Sequence, residues 1–174
     1  MKLTYYLDKG GFIMYILSFL SVVGISILIW KLLIFILAKK NITKISKNIA
    51  GKNITDNDGF SLKIIEDEIS IVILKLEKGL ETIKTISTIA PLLGLLGTVI
   101  GILDSFEKIA SKGMDSTMFA SGISLALITT IGGLIVAIPH TIGYNYLIKM
   151  LDFIEVNINK KTIELKLGTN SEKA

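Results

Sequence analysis

The sequence predicts an all-α integral membrane protein with three transmembrane helices, because its charges are confined to a few segments. Of its 174 residues, 51% are hydrophobic and 20% are charged. A membrane helix needs about 20 consecutive, mostly apolar residues. Three uncharged stretches are long enough: the 21 residues between Lys9 and Lys31, the 19 between Lys84 and Asp104, and the 33 between Asp115 and Lys149.

The distribution of lysine predicts the topology of the first span. All 19 basic residues are lysines, and the net charge is +4. The densest group follows the first apolar run directly: Lys39, Lys40, Lys44 and Lys47. Cytoplasmic flanks of membrane helices collect basic residues. Residues 1–38 are therefore predicted to be an outside segment followed by the first transmembrane helix. Without arginine, the chain lacks the side chain best suited to nucleic acid, so no nucleic-acid partner is expected.

Residues 39–84 are predicted to form a cytoplasmic loop and helix. The segment 41–59 is rich in Asn, Asp and Gly, which is typical of a loop or a broken helix. From residue 62 to 84, the apolar residues Ile65, Ile69 and Leu76 recur at helical spacing. We therefore expect a helix that runs into the second span.

Residues 85–148 are predicted to hold the second and third transmembrane helices, joined by an outside loop at about 104–122. This loop carries a net charge of −1 between Asp104 and Asp115, in keeping with an outside position. The tail, 149–174, alternates charged and apolar residues and is predicted to continue as a cytoplasmic helix. With three spans, the N-terminus lies outside and the C-terminus lies in the cytoplasm.

The second span carries a stripe of small residues along one side. At about 100° per residue, the stripe lies within about 60° of Gly94. Gly97-x-x-x-Gly101 has the spacing of close helix contacts in membranes. The stripe consists of Ser87, Ala90, Gly94, Gly97, Thr98, Gly101 and Ser105.

The third span repeats this pattern. Its small and polar half consists of Ala126, Thr129, Thr130, Gly133, Ala137, His140, Thr141 and Tyr144. Two alternatives remain open. The two stripes, repeated around an oligomer, line a pore, or they pack only on each other within one chain, as in a small membrane scaffold.

The spans hold hydroxyl groups but no carboxylate away from their ends. Proton relays through membranes normally use intramembrane carboxylates. If this chain conducts protons, a second protein must therefore bring the titrating group, with Thr98 and Thr130 as its hydrogen-bonding partners. The sole histidine, His140, is interpreted as a packing residue rather than a relay. One histidine and no cysteine predict no metal site, and the absence of nucleotide and hydrolase motifs predicts neither an enzyme nor a cofactor.

Two ordered motifs resemble those of the MotA/TolQ/ExbB proton-channel family. The first joins Leu76-Glu77-Lys78-Gly79-Leu80-Glu81 to the run from Ala90 to Gly101. The second comprises Gly122-Ile123-Ser124, the run Ala126 to Thr130, Ala137-Ile138-Pro139 and Tyr144-Asn145. Both of the chain's prolines, Pro91 and Pro139, lie inside these motifs and are expected to shape the helices.

The resemblance implies a homopentamer in the bacterial inner membrane. The second and third helices would line a central pore and the first would face lipid. An ExbD-like single-span partner would place a membrane aspartate in the pore, where Thr98 and Thr130, with Thr129 beside them, are expected to contact it. Proton entry would then drive outer-membrane transport through a TonB-like protein.

The resemblance also implies a compact ExbB-like member rather than a flagellar stator. A TolQ-like subunit that supports envelope integrity is the close alternative. One position departs from the family pattern, because many members carry a glutamate where this chain has Leu125. Asp104 either substitutes for that acid or is a solvated charge at a helix end.

Overall fold

The computed structural model describes residues 10–51, 58–112 and 116–171, and these form five helices. We number them α1 (Gly11–Lys40), α2 (Ile42–Ala50), α3 (Asp58–Glu77), α4 (Leu80–Lys112) and α5 (Ser116–Ser171). The described part of the chain is thus all-helical, which confirms the predicted class.

Three of the helices are long and apolar enough to cross a membrane. These segments are Gly11–Lys40, Leu80–Ser111 and Ala120–Lys166. Each overlaps one of the uncharged stretches noted above. The prediction of three membrane helices is therefore confirmed.

The helices extend further than the sequence pattern predicted. α4 continues to Lys112 and α5 begins at Ser116, so helix occupies most of the segment expected to be an outside loop. Residues 104–112 contain no glycine or proline, and Lys108 Nζ lies 2.6 Å from Asp104 Oδ2 one turn earlier. Such an i, i+4 pair supports helix, and no residue in this segment breaks it.

The expected helix over residues 62–84 is interrupted just before the second span. α3 ends at Glu77 and α4 begins at Leu80. Gly79 between them has a φ of 95°, in the left-handed region that glycine adopts without steric cost. A glycine at this position is the usual way to end a helix, so the break follows from Gly79.

The chain divides into two compact units. The first unit combines Met1–Leu28 with Thr82–Tyr144. It therefore contains parts of α1, α4 and α5 from all three predicted spans. Its core is an apolar cluster of large and small residues from α1, α4 and α5. The buried members are Leu17, Ile86, Ala90, Val136 and Ala137.

The second unit combines Ile29–Glu81 with Asn145–Ala174. Its apolar core includes Phe35, Ile69 and Ile158, all at most 2% exposed. Lys31 is buried in this unit, and its Nζ donates a hydrogen bond of 2.9 Å to Leu76 O. Carbonyl groups in the last turn of a helix lack intrahelical partners, so Lys31 satisfies the C-terminal end of α3.

Candidate functional site

The first unit is organised around a close contact between α4 and α5. A Cβ added at Gly133 would lie 2.6 Å from Ala90 O, and one added at Gly94 would lie 2.8 Å from Thr129 O. Both neighbours are backbone atoms and have no freedom to move aside. The two backbones therefore approach each other as only glycine permits, which is the geometry of small-xxx-small contacts in membranes.

The rest of the two stripes continues this contact. An added Cβ at Gly97 would meet Thr129, and one at Gly101 would lie 3.4 Å from Ala126 Cβ. Ala90, Ala126 and Ala137 are buried as well. The sequence left open whether the stripes line a pore or pack on each other. Within this chain they pack on each other.

Thr98 and Thr130 meet at one edge of the contact. Their Oγ1 atoms are within hydrogen-bonding distance of each other, and both residues are half-buried. Thr98 Oγ1 also lies 3.1 Å from Ala126 O and 3.2 Å from Gly94 O, and Thr130 Oγ1 lies 3.4 Å from Gly94 O. Hydroxyl hydrogen bonds are usually 2.5 to 3.0 Å long. The bonds to the carbonyls are therefore weak, and each hydroxyl is the other's main partner.

Thr129, the third threonine predicted at the site, has a different environment. It is 2% exposed, and its hydroxyl donates to Ala126 O at 2.8 Å. Its side chain fills the space left by Gly97. Thr129 therefore belongs to the packed interior of the contact, and we assign the exposed edge to Thr98 and Thr130 alone.

α1 covers the opposite edge of the contact. A Cβ added at Gly132 would lie 2.7 Å from Met14 Sδ, and one added at Gly143 would meet Leu28. At 100° per residue these two glycines lie about 140° to 160° around α5 from Thr130. The threonine pair therefore lies on the side that α1 leaves uncovered.

The surface beside the threonine pair is apolar. The large side chains next to it on both helices are exposed: Leu95 by 56%, Leu127 by 57% and Leu134 by 46%. The spans themselves contribute no carboxylate to this surface, since residues 85–103 and 116–148 contain neither Asp nor Glu. The two hydroxyls thus lie at a helix contact with exposed leucines beside them.

The remaining residues singled out in the sequence lie apart from the threonine pair. Ser87 donates to Lys84 O at 2.7 Å on its own helix. Pro91 and Pro139 lie inside α4 and α5, which continue through both positions. A helical proline lacks the N–H that would bond the carbonyl four residues earlier, so Ser87 O and Ile135 O each lose a backbone donor.

Asp104 and Leu125 line one cavity at the start of α1. The cavity has a volume of about 240 Å³, and Gly97, Gly101 and Thr129 form part of its wall. The Asp104 side chain is 47% exposed and pairs with Lys108. Asp104 and Leu125, the position at which the resemblance implies a glutamate, thus line the same cavity.

Gly24 and Gly132 are positions that the sequence reasoning missed. Gly24 is the only glycine between residues 12 and 50, and Gly132 adjoins Gly133. A lone glycine in an apolar helix often marks a close approach of another element. The lone Gly24 in the apolar first span was therefore a sequence signal that another helix approaches α1 closely at this position.

A family model decides the relationship of the chain to known proteins. The model describes the MotA/TolQ/ExbB proton channel family, and it matches residues 37–160. The chain belongs to this family. The match contains both of the motifs quoted above and both members of the threonine pair, so the predicted resemblance is confirmed.

Two relatives support a position in the family close to ExbB. A protein named biopolymer transport protein ExbB from Helicobacter pylori is 44% identical over 89 residues, which is 51% of this chain and 61% of the relative. A protein of the same name from Aquifex aeolicus is 52% identical over 54 residues, which is 30% of this chain and 36% of the relative. The matches span less than two thirds of either relative's length.

Proposed function

We propose that the chain is the channel subunit of an ExbB-type complex that uses the proton-motive force to energise outer-membrane transport. It would assemble as a homopentamer in the bacterial inner membrane, with the N-terminus in the periplasm and the C-terminus in the cytoplasm. Its partners would be an ExbD-like single-span protein and a TonB-like protein. The observation that carries the proposal is the Thr98–Thr130 hydroxyl pair on the edge that α1 leaves uncovered.

This edge suits a membrane helix that carries one carboxyl group. The exposed leucines beside the pair offer apolar packing, and the two hydroxyls offer a polar contact at the centre of that surface. Gly94 O and Ala126 O keep their backbone helix bonds when a threonine turns away from them. Each hydroxyl is thus able to redirect its proton to a carboxylate at little cost.

The energy available to such a complex is sufficient for mechanical work. Each elementary charge that crosses about 100 mV releases about 2.3 kcal/mol. A few protons per cycle therefore supply enough free energy to rearrange a modest protein interface. The titrating group would belong to the partner, because residues 10–30, 85–103 and 116–148 of this chain contain no carboxylate side chain.

Replacing either threonine of the pair with valine tests the proposal. We expect Thr98→Val and Thr130→Val each to abolish uptake that depends on the proton-motive force, while the pentamer still assembles. Thr141→Val is the matched control, because the Thr141 hydroxyl bonds back to Ala137 O at 2.9 Å on its own helix. It should leave uptake intact.

Unchanged uptake in both pair variants would overturn the role of the threonines. The mass of the complex in detergent tests the assembly separately, because a monomer is incompatible with a shared pore. Deletion of the gene distinguishes the TolQ-like alternative. Detergent sensitivity with normal uptake would favour that alternative over an ExbB-type role.

A further inference from the structure

The C-terminal part of α1 has an outward face that is apolar up to the end of the candidate span. Ile29, Leu33 and Leu37 recur on this face at helical spacing and are 54%, 55% and 59% exposed. The helix and the candidate span both end at Lys40. Lipid tails are as apolar as leucine, so these exposed side chains offer a surface along which a lipid tail packs.

Three exposed lysines continue this face beyond the apolar residues. Lys40, Lys44 and Lys47 follow Leu37 at intervals of three or four residues. At about 100° per residue they lie within about 40° of the middle of the apolar face. Asn41, between α1 and α2, does not interrupt the helical turn, because its N–H donates to Leu37 O at 3.1 Å. One face of α1 and α2 therefore changes from apolar to basic where the span ends.

α2 is held in place by its opposite side, which packs into the second unit. Ile49 is 5% exposed, and the buried Ser46 has its Oγ 3.4 Å from Ile158 O of α5. Lys161 of α5 donates to Thr43 Oγ1 at 2.8 Å and adds a further ammonium group beside α2. The lysines of α2 lie about 140° to 160° around the helix from Ile49. Packing therefore turns them away from the core of the unit.

No acidic side chain offsets the charge of the lysine face, which consists of Lys40, Lys44 and Lys47. Residues 10–55 contain six lysines and neither Asp nor Glu. None of the three lysines forms an ion pair with another residue that the structure describes. Basic clusters directly beside a membrane helix attract anionic lipid headgroups, and a lysine ammonium offers three donors to phosphate oxygens.

We propose that the lysine face binds the phosphate groups of anionic phospholipids. The lipid tails pack along Leu33 and Leu37, and the ammonium groups, on flexible apolar stems, donate to the headgroup. The two parts of one lipid molecule thus match two consecutive parts of one helix face. A free phosphate ion would use the lysines but not the apolar residues, which is why we assign the surface to a lipid. This inference does not depend on the proposed channel function.

Trp30, the chain's only tryptophan, is a built-in reporter for this surface. It is 67% exposed and lies one turn before Leu33 on α1. Bromine on a lipid tail quenches tryptophan fluorescence on contact, so liposomes of brominated phosphatidylglycerol or phosphatidylcholine report which lipid lies beside Trp30. With the full chain we expect the anionic lipid to be preferred, by about five-fold for each lysine that contacts it. High salt should reduce the preference.

Two double variants separate the lysine face from net charge. Lys44→Gln/Lys47→Gln should lower the preference at least about five-fold. Lys63→Gln/Lys75→Gln, at exposed positions of α3, removes the same charge and should retain it. Equal quenching by the two lipids in the unaltered chain, or equal losses in the two double variants, would overturn the proposal.

A conservative variant and a competing ion complete the test. Lys44→Arg/Lys47→Arg keeps the charge and should keep the preference for the anionic lipid. Sodium phosphate and sodium chloride at equal ionic strength should reduce the preference equally, because both act only by screening. A larger reduction by phosphate would assign the lysines to a free anion, and loss of the preference in the arginine variant would contradict recognition by charge.

Discussion

The two edges of the α4–α5 contact differ in what covers them. One edge is closed by the chain's own α1, through Met14, Gly24 and Leu28. The other edge carries Thr98 and Thr130, which are half-buried, among exposed leucines. A chain that closes one edge and leaves a polar pair on the other has a surface that a second protein can occupy.

The same difference separates two polar groups of α5, the hydroxyl of Thr130 and the imidazole of His140. The hydroxyl of Thr130 has Thr98 as a partner at an accessible edge. Nε2 of His140 has no partner among the described residues and is enclosed by helices. The open edge therefore suits contact with another helix, whereas the closed edge is already filled by α1.

The largest effect is expected from Gly133→Ala, which acts on the contact that both edges share. The added Cβ would lie 2.6 Å from Ala90 O. Overpacking typically costs about 1 to 3 kcal/mol, and alanine recovers up to about 1 kcal/mol of helix propensity. We expect a net loss of about 2 kcal/mol in the free energy of unfolding, measured by denaturant titration in detergent.

Gly101→Ala is the matched control for this substitution. Its added Cβ would lie 3.4 Å from Ala126, an ordinary contact distance. We expect no loss of stability and a gain of up to about 1 kcal/mol from helix propensity. Equal losses in the two variants would show that the close approach at Gly133 is not what holds α4 and α5 together.

The closed edge is tested by Gly24→Ala. The added Cβ meets the His140 ring rather than backbone, so part of the overlap is relieved by side-chain movement. We expect a loss of about 1 to 2 kcal/mol in the free energy of unfolding, within the range for overpacking. The double variant Gly24→Ala/His140→Ala should be more stable than the sum of the two single changes predicts, since neighbouring residues couple. Simple additivity would mean that Gly24 and His140 do not contact each other in the folded protein.

The open edge is tested by a double-mutant cycle on Thr98→Val and Thr130→Val. Each single change removes one hydroxyl from a shared hydrogen bond and should cost about 1 kcal/mol. The double variant should cost less than the sum, because the second change removes a hydroxyl whose main partner is already gone. Unfolding titrations of the four proteins provide the coupling energy. A coupling near zero would show that the two hydroxyls do not interact in the membrane.

Much of this architecture was predictable because helical periodicity and charge position are local properties of the sequence. The spans, the two small-residue stripes and the threonines at positions 98 and 130 all follow from spacing along one helix. Which stripe faces which helix depends on packing between distant segments. For this reason the pattern left the pore and packing alternatives open.

The covering of one edge by α1 was not predicted, because an apolar helix in lipid shows little sequence difference between a lipid face and a protein face. Gly24 was the one local signal, and its partner His140 lies 116 positions away. The helix over residues 104–112 was missed for a different reason. The charges of this segment favour a position outside the membrane. A segment in that position can be either a loop or a helix, so the charges do not predict its secondary structure.

The smallest effect is expected at Asp104, a charged residue that lines the same cavity as Leu125. Asp104 pairs with Lys108 on the same helix, and both side chains are about half exposed. Exposed i, i+4 pairs contribute about 0.3 to 0.5 kcal/mol, so Asp104→Asn should change the free energy of unfolding by no more than about 0.5 kcal/mol. It should also leave uptake unchanged, because its charge is already balanced by Lys108 and exposed to solvent. Glu107→Gln, on an exposed neighbour of the same helix, is the control. If Asp104→Asn abolishes uptake while Glu107→Gln does not, the carboxylate acts in the cavity despite its pairing, and the open edge would require a charge from this chain as well as one from its partner.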